Sequence, residues 1–125
     1  MHLPTILSIG LVLTTTSALG INCRGSSDCS LTDCPSLGQV LSIIEEIDDN
    51  SWFDNGEHIA CIRAGAQAYS LCAFLQNSGG ALGSSIKTLA RELQQHGCGN
   101  CGSVPLFYPG DNDVNNGELT FNAVW

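Results

Sequence analysis

Seven cysteines fall at positions 23, 29, 34, 61, 72, 98 and 101 of a chain of only 125 residues. What they do depends on the compartment: thiols pair in an oxidising space and serve metals or catalysis in a reducing one. The N-terminus decides between these. Met1 to Ala18 has an apolar centre from Ile6 to Leu13, followed by Thr14-Thr15-Thr16-Ser17-Ala18. A short apolar run ending in small residues reads as a cleaved secretory signal over residues 1–18, although its n-region offers only His2 beside the amino terminus. The run falls well short of the ~20 residues a membrane span needs, and no later stretch comes close, so membrane insertion is not expected. A single secreted, extracellular domain of residues 19–125 follows, with disulfides as the default state of its cysteines. An odd number leaves at least one thiol unpaired or intermolecular. Spacing alone leaves the pairing open, since any six cysteines can combine in about 15 ways.

Charge narrows the function classes. Twelve acids against four bases give a formal charge of −8, and only 13% of the residues are charged, against ~25% in average chains. Phosphate-backbone binding depends on clustered Lys and Arg, so a nucleic-acid partner is not expected.

The hydrophobic pattern gives a coarse element order. Ile21 to Arg24 suits a short opening strand. Ser36-Leu37-Gly38-Gln39 has capping-box spacing. Leu37, Val40, Leu41, Ile44 and Ile47 follow at helical spacing, predicting a helix from Leu37 to about Asp48. Glu45, Glu46, Asp48 and Asp49 lie near its negative end and read as a solvated acidic face. Glu57 to Ala64 and Tyr69 to Gln76 read as two strands. Pairing Ala64 with Tyr69 sets Cys61 opposite Cys72 and Ile59 opposite Phe74, with Ala60, Ile62, Leu71, Ala73 and Leu75 on the other face. Directly opposed positions suit a disulfide, so Cys61–Cys72 is expected from register. A second helix spans about Ser84 to His96, its inner face formed by Ile86, Leu89, Ala90 and Leu93 and its cap by Gly97. Strands near Ser103 to Phe107 and Glu118 to Val124 complete the order, with Asn116-Gly117 as a turn signal. The expected fold is α+β: a two-layer α/β sandwich in which a small antiparallel sheet carries two helices on one face.

Chemical motifs are weak by comparison. Cys98-Gly99-Asn100-Cys101 follows a helix where a redox pair would precede one, lacks the His of a haem site, and has no compact second pair for zinc. Asp111-Asn112-Asp113-Val114-Asn115 resembles the start of a calcium loop, but its glycine comes one place late and Asn122 stands where Glu is needed. His58 and His96 with Glu57 and Arg63 are side chains a ribonuclease uses, yet Glu57 and His58 are adjacent on a strand and point apart. No catalytic, metal or cofactor site is expected, and the chain reads as a non-enzyme.

Blocks at both ends carry a further signal. LGINCRGSS (Leu19 to Ser27), HGCGNCGSVPLF (His96 to Phe107), NDV (Asn112 to Val114) and GELTFNAV (Gly117 to Val124) resemble the killer protein 4 family. These are small secreted fungal proteins typified by a viral killer toxin of a smut fungus. The middle section, HIAC through CAFLQ, is more similar to cellular fungal members. The resemblance implies the same α/β sandwich. It also implies bonds from Cys23 to Cys98 and from Cys29 to Cys101, tying the front of the domain to the end of the second helix and leaving Cys34 unpaired.

The activity ascribed to the viral toxin is inhibition of calcium uptake through target-cell channels. The resemblance therefore implies a secreted toxin or virulence effector whose partner is a membrane channel or surface protein. The viral toxin is basic, whereas this chain has only Arg24, Arg63, Lys87 and Arg91. Arg63 is the first candidate target contact, because strand register turns it away from the helix-facing side. Lys87 and Arg91, four apart on the second helix, come next, with Arg24 beside them. The rival readings are a binding module for cell-wall glycan or a protein partner, and a small ribonuclease-like hydrolase. The protein is expected to be a monomer unless Cys34 links two chains.

Overall fold

The computed structural model describes residues 19–66 and 68–125; the expected export signal, residues 1–18, lies outside them. The architecture is α+β, with two helices and two antiparallel sheets. Helix α1 spans Leu37–Ile44 and α2 spans Gly83–His96. The strands are β1 (Trp52–Phe53), β2 (Ala60–Arg63), β3 (Ser70–Gln76), β4 (Ala81–Leu82), β5 (Gly102–Pro105) and β6 (Glu118–Val124). The main sheet runs in the order β2-β3-β6-β5, and β1 pairs with β4 as a separate two-stranded ribbon.

Helix α1 begins where the capping box is read: Ser36 Oγ accepts from the Gln39 backbone N–H at 3.1 Å, and Gln39 Oε1 accepts from the Ser36 N–H at 2.8 Å. It stops at Ile44, short of the expected Asp48. There the N–H groups of Glu46 and Ile47 turn to the carbonyls three residues back, and Asp48 takes the Asn50 N–H onto its own carboxylate. Negative side chains are unfavourable at a helix C-terminus, and Asp offers the backbone a competing local partner. Helix α2 matches its expected core face, with Ile86, Leu89, Ala90 and Leu93 all buried, and ends on Gly97 at φ 104°.

The sheet keeps the expected pairing of Cys61 with Cys72 and of Ile62 with Leu71. At its far end the expectation fails: Ile59 does not oppose Phe74. Its N–H goes to the carbonyl of Ala73 at 2.8 Å, a residue already paired with Ala60, so two residues face one and the strand bulges. The segment before it is spent on a turn, Glu57 N–H to the Asp54 carbonyl, which shortens the expected strand to four residues. The opening strand at Ile21 to Arg24 is likewise reduced to one antiparallel bridge, Asn22 to Ser103. That bridge covers the open edge of β5, whose last residue, Pro105, has no N–H to extend a ladder.

Leu71, Ala73 and Leu75 of β3, Leu119 and Phe121 of β6 and Val104 of β5 face the two helices and form one core with their apolar stripes. These apolar positions alternate with the period of two expected along a strand, while Cys72, Ser103 and Thr120 are also buried on the opposite face.

Candidate functional site

The four bases separate into two pairs. Lys87 Nζ lies 2.7 Å from Asp49 Oδ1, with only 14% of the lysine side chain exposed. Arg91 Nε donates to Glu45 Oε2 at 2.8 Å and a second N–H reaches the other carboxylate oxygen, a two-pronged grip that suits a planar guanidinium. The hydrogen bond from Arg91 holds the Glu45 carboxyl below its usual range against the opposing effect of burial. The same bond raises Arg91. Two of the acids expected to form a solvated face are thus fastened to α2. Nothing in local spacing announces this, because each partner lies about forty residues away in the chain.

Arg63 and Arg24 form no ion pair among the described residues. Arg63 is exposed at the end of β2, with its guanidinium donating to the Ala66 carbonyl at 3.1 Å. Register puts it on the sheet face away from the helices, in one row with Ser70 and Val124. The neighbouring row on that face is Cys61, Cys72 and Asn122. Asn122 Oδ1 accepts the backbone N–H of Ser26 at 3.0 Å, which fastens the segment carrying Arg24 to the sheet.

That segment is a covalent strap. The sulfurs of Cys23 and Cys98 lie 1.98 Å apart and those of Cys29 and Cys101 1.99 Å apart. The Cys98 and Cys101 thiols therefore bond to separate partners and not to each other. Between strap and Gly99–Cys101 lies an open depression of ≈ 560 Å³, lined by Arg24 and by Ser26, Ser27 and Ser30. Cys61 and Cys72 are bonded across β2 and β3, at 2.12 Å. Cys34 is a free thiol, half-buried. Beside it, burial pushes the Tyr69 hydroxyl up to about 12, helped by a hydrogen bond to Cys34 and the negative charges nearby.

Among the described residues, the side chains named for the rival chemistries are not brought together. His58 stacks on Phe74 at 5.8 Å on the outer sheet face, whereas His96 ends α2 in the helical layer. Glu57 is committed to the Asp54 N–H at 3.0 Å. The one trio of ligand-type side chains among the described residues, His58 with Cys61 and Cys72, has its donor atoms within 4.8 Å. Both sulfurs are in the disulfide, so it offers no thiolate to a metal. Asp111 to Asn116 folds as a polar turn, with Asp113 accepting from the Asn115 N–H and Asp111 from the Asn116 amide.

The family model for Kp4 matches residues 6–125, nearly the whole chain and all seven cysteines. The chain belongs to the Kp4 family. It is similar to the KP4 killer toxin of Ustilago maydis P4 virus, with 31% identity over 121 residues that cover 96% of this chain and 91% of the toxin. Kp4 membership makes this a killer-toxin-like protein. The Kp4 match also spans a feature that the reading of motifs passed over: an exposed group of large apolar side chains at Trp52, Leu82 and Phe107. Two two-residue strands and a loop carry it, each too short for any periodicity to reveal.

Proposed function

We propose that this chain is exported and acts outside the producing cell as a toxin or virulence effector, by binding a membrane protein of a target cell without catalysis. Inhibition of calcium uptake is the specific form. The observation that carries the reading is the near full-length Kp4 match together with identity to a killer toxin. Three disulfides in so short a chain support an extracellular life. Among the described residues no helix is long and apolar enough to cross a membrane, which favours action at a surface.

Arg63 and Arg24 are the contacts this reading selects. A cation aimed at an acidic pore mouth has to be free of internal acidic partners, and Lys87 and Arg91 are held by Asp49 and Glu45, whereas Arg63 gives up only one hydrogen bond, to the Ala66 carbonyl. With a net charge of −8, long-range steering toward an acidic channel is unfavourable. Affinity must then come from short-range contact. The experiment applies purified protein to fungal and plant cells and follows growth and calcium influx. Reduced influx, weakened by Arg63→Glu and Arg24→Glu but not by Lys87→Gln, is the expected result. Folded protein without effect at high dose refutes the channel reading.

A further inference from the structure

Trp52, Leu82 and Phe107 keep 56%, 40% and 63% of their surface exposed, and all three line one cleft of ≈ 270 Å³ with Ser85 and Leu106. A second cleft of ≈ 330 Å³ shares Ser85 and Leu106 and adds Ser84, Thr88, Leu89 and Tyr108. Sharing two walls, the two clefts lie side by side at the first turns of α2 and are together termed the trough. Large apolar side chains gathered at one exposed place mark a binding surface more often than chance packing.

The lining says what kind of ligand fits. Not one residue of either cleft is charged, in a chain carrying twelve acids and four bases. An ionic ligand would find no counter-charge there. A lipid or an apolar protein face would cover the Ser84 and Ser85 hydroxyls without giving them partners, which is costly; the Thr88 hydroxyl already donates to the Ser84 carbonyl at 3.2 Å and keeps only its acceptor side for a ligand. A pyranose ring has both faces the trough asks for. Its C–H face packs on the electron-rich face of an aromatic ring, and its rim of hydroxyls exchanges hydrogen bonds with Ser, Thr and Tyr.

The Trp52 side of the trough is already supported before any ligand arrives. Trp52 pairs with Leu82 in the β1–β4 ribbon, and its indole lies against Gly80, where a Cβ would come within 2.6 Å of the ring. One face of the ring is thus backed by the chain, and little freedom is left to lose on binding.

We propose that this trough binds a neutral polysaccharide, with sugar rings stacked on Trp52 and Phe107 and hydroxyls met by Ser84, Ser85, Thr88 and Tyr108. The site is separate from Arg63 and the strap, and its binding would hold the protein at a cell wall.

Purified protein is mixed with insoluble chitin, cellulose and β-1,3-glucan at low and high salt, and the bound fraction is measured. Retention on at least one of the three, unchanged by salt and released by the matching soluble oligosaccharide, is expected. Trp52→Ala and Phe107→Ala should each weaken it at least ~10-fold, because buried aromatic anchors dominate such surfaces. Leu31→Ala, which removes an exposed leucine outside the trough, should leave it intact. Phe107 lies in a loop and is mostly exposed, so its variant reports on binding even if Trp52→Ala fails to fold. Failure to bind all three polymers, release by salt alone, or equal loss in Leu31→Ala overturns the proposal. So does self-association in sedimentation that Phe107→Ala abolishes, which would assign the trough to a second copy of the chain.

Discussion

The two strap disulfides should stabilise the fold far more as a pair than either does alone. Cys23–Cys98 closes a span of 75 residues and Cys29–Cys101 one of 72. Taken singly in an otherwise open chain, the loop-entropy relation assigns each about 4.5 kcal/mol at 25 °C. The loops are nearly concentric, however. Once either bond exists, the other closes only the short ring formed by Cys23 to Cys29 and Cys98 to Cys101, about nine residues, and the same relation gives about 2.6 kcal/mol. Removing one bond should therefore cost about 2.6 kcal/mol, and removing both about 7. The excess over additivity is about 2 kcal/mol.

Urea unfolding of three variants measures this: Cys23→Ser with Cys98→Ala, Cys29→Ser with Cys101→Ala, and all four together. Cys98 and Cys101 are buried, so each replacement also loses some packing. Such losses cancel in the double-mutant cycle, which leaves the coupling as the readout. Domains of this kind are stable by 5–15 kcal/mol in general, so the quadruple variant is expected near or past its unfolding midpoint in water, where a Tm measurement replaces the titration. Single removals that each cost about 4.5 kcal/mol and add without excess would refute the concentric-loop argument.

Three other outcomes follow from particular contacts. Gly83→Ala should destabilise by about 1–3 kcal/mol or more, because its Cβ would sit 2.1 Å from the Asp48 carbonyl oxygen; Gly99→Ala, with open space around it, should unfold at nearly the wild-type denaturant concentration. The Glu45 carboxyl is depressed in the fold, so its contribution is present above the ordinary carboxylate range and is lost as pH falls through its folded value. Arg91→Gln should flatten that acidic limb of the Tm–pH curve, and high salt should shrink the difference. Tyr69 is raised from 10.0 to about 12, so its contribution is complete below pH 10 and disappears as pH climbs toward 12. Tyrosinate absorbance should show one late-titrating tyrosine, and Tyr69→Phe should remove that phase.

The elements legible in the sequence are those written in local periodicity. The apolar stripe of α2 and the Ser36 capping box are of this kind, as is the alternation that sets Cys61 against Cys72. What was not legible is long-range or too short to be periodic. The Arg91–Glu45 and Lys87–Asp49 pairs join residues whose separation carries no pattern. The bulge at Ile59 arises because Ala73 offers its carbonyl to two donors. The opening segment reads as strand-like at Ile21, yet the strap disulfides and the Asn122 side chain hold it, leaving one bridge. The trough fails to show for the same reason: Trp52, Leu82 and Phe107 come from three separate stretches that meet only in space.

Fold and recognition have different tolerances here, and the charges show why. The frame of cysteines and core positions works whatever the outer surface carries, since a disulfide or a buried leucine is indifferent to a base exposed elsewhere. Two of the four bases are spent inside that frame, clamping α2 to the acids beyond α1. They assist the sandwich and are lost to any target. Only Arg24 and Arg63 remain as cations able to reach outward, on a surface otherwise dominated by acids. A chain arranged this way cannot rely on distant attraction to an acidic pore. The target proposed above would then require the chain to stay close while Arg24 and Arg63 make contact, and the proposed uncharged aromatic trough would provide for that without opposing the net charge.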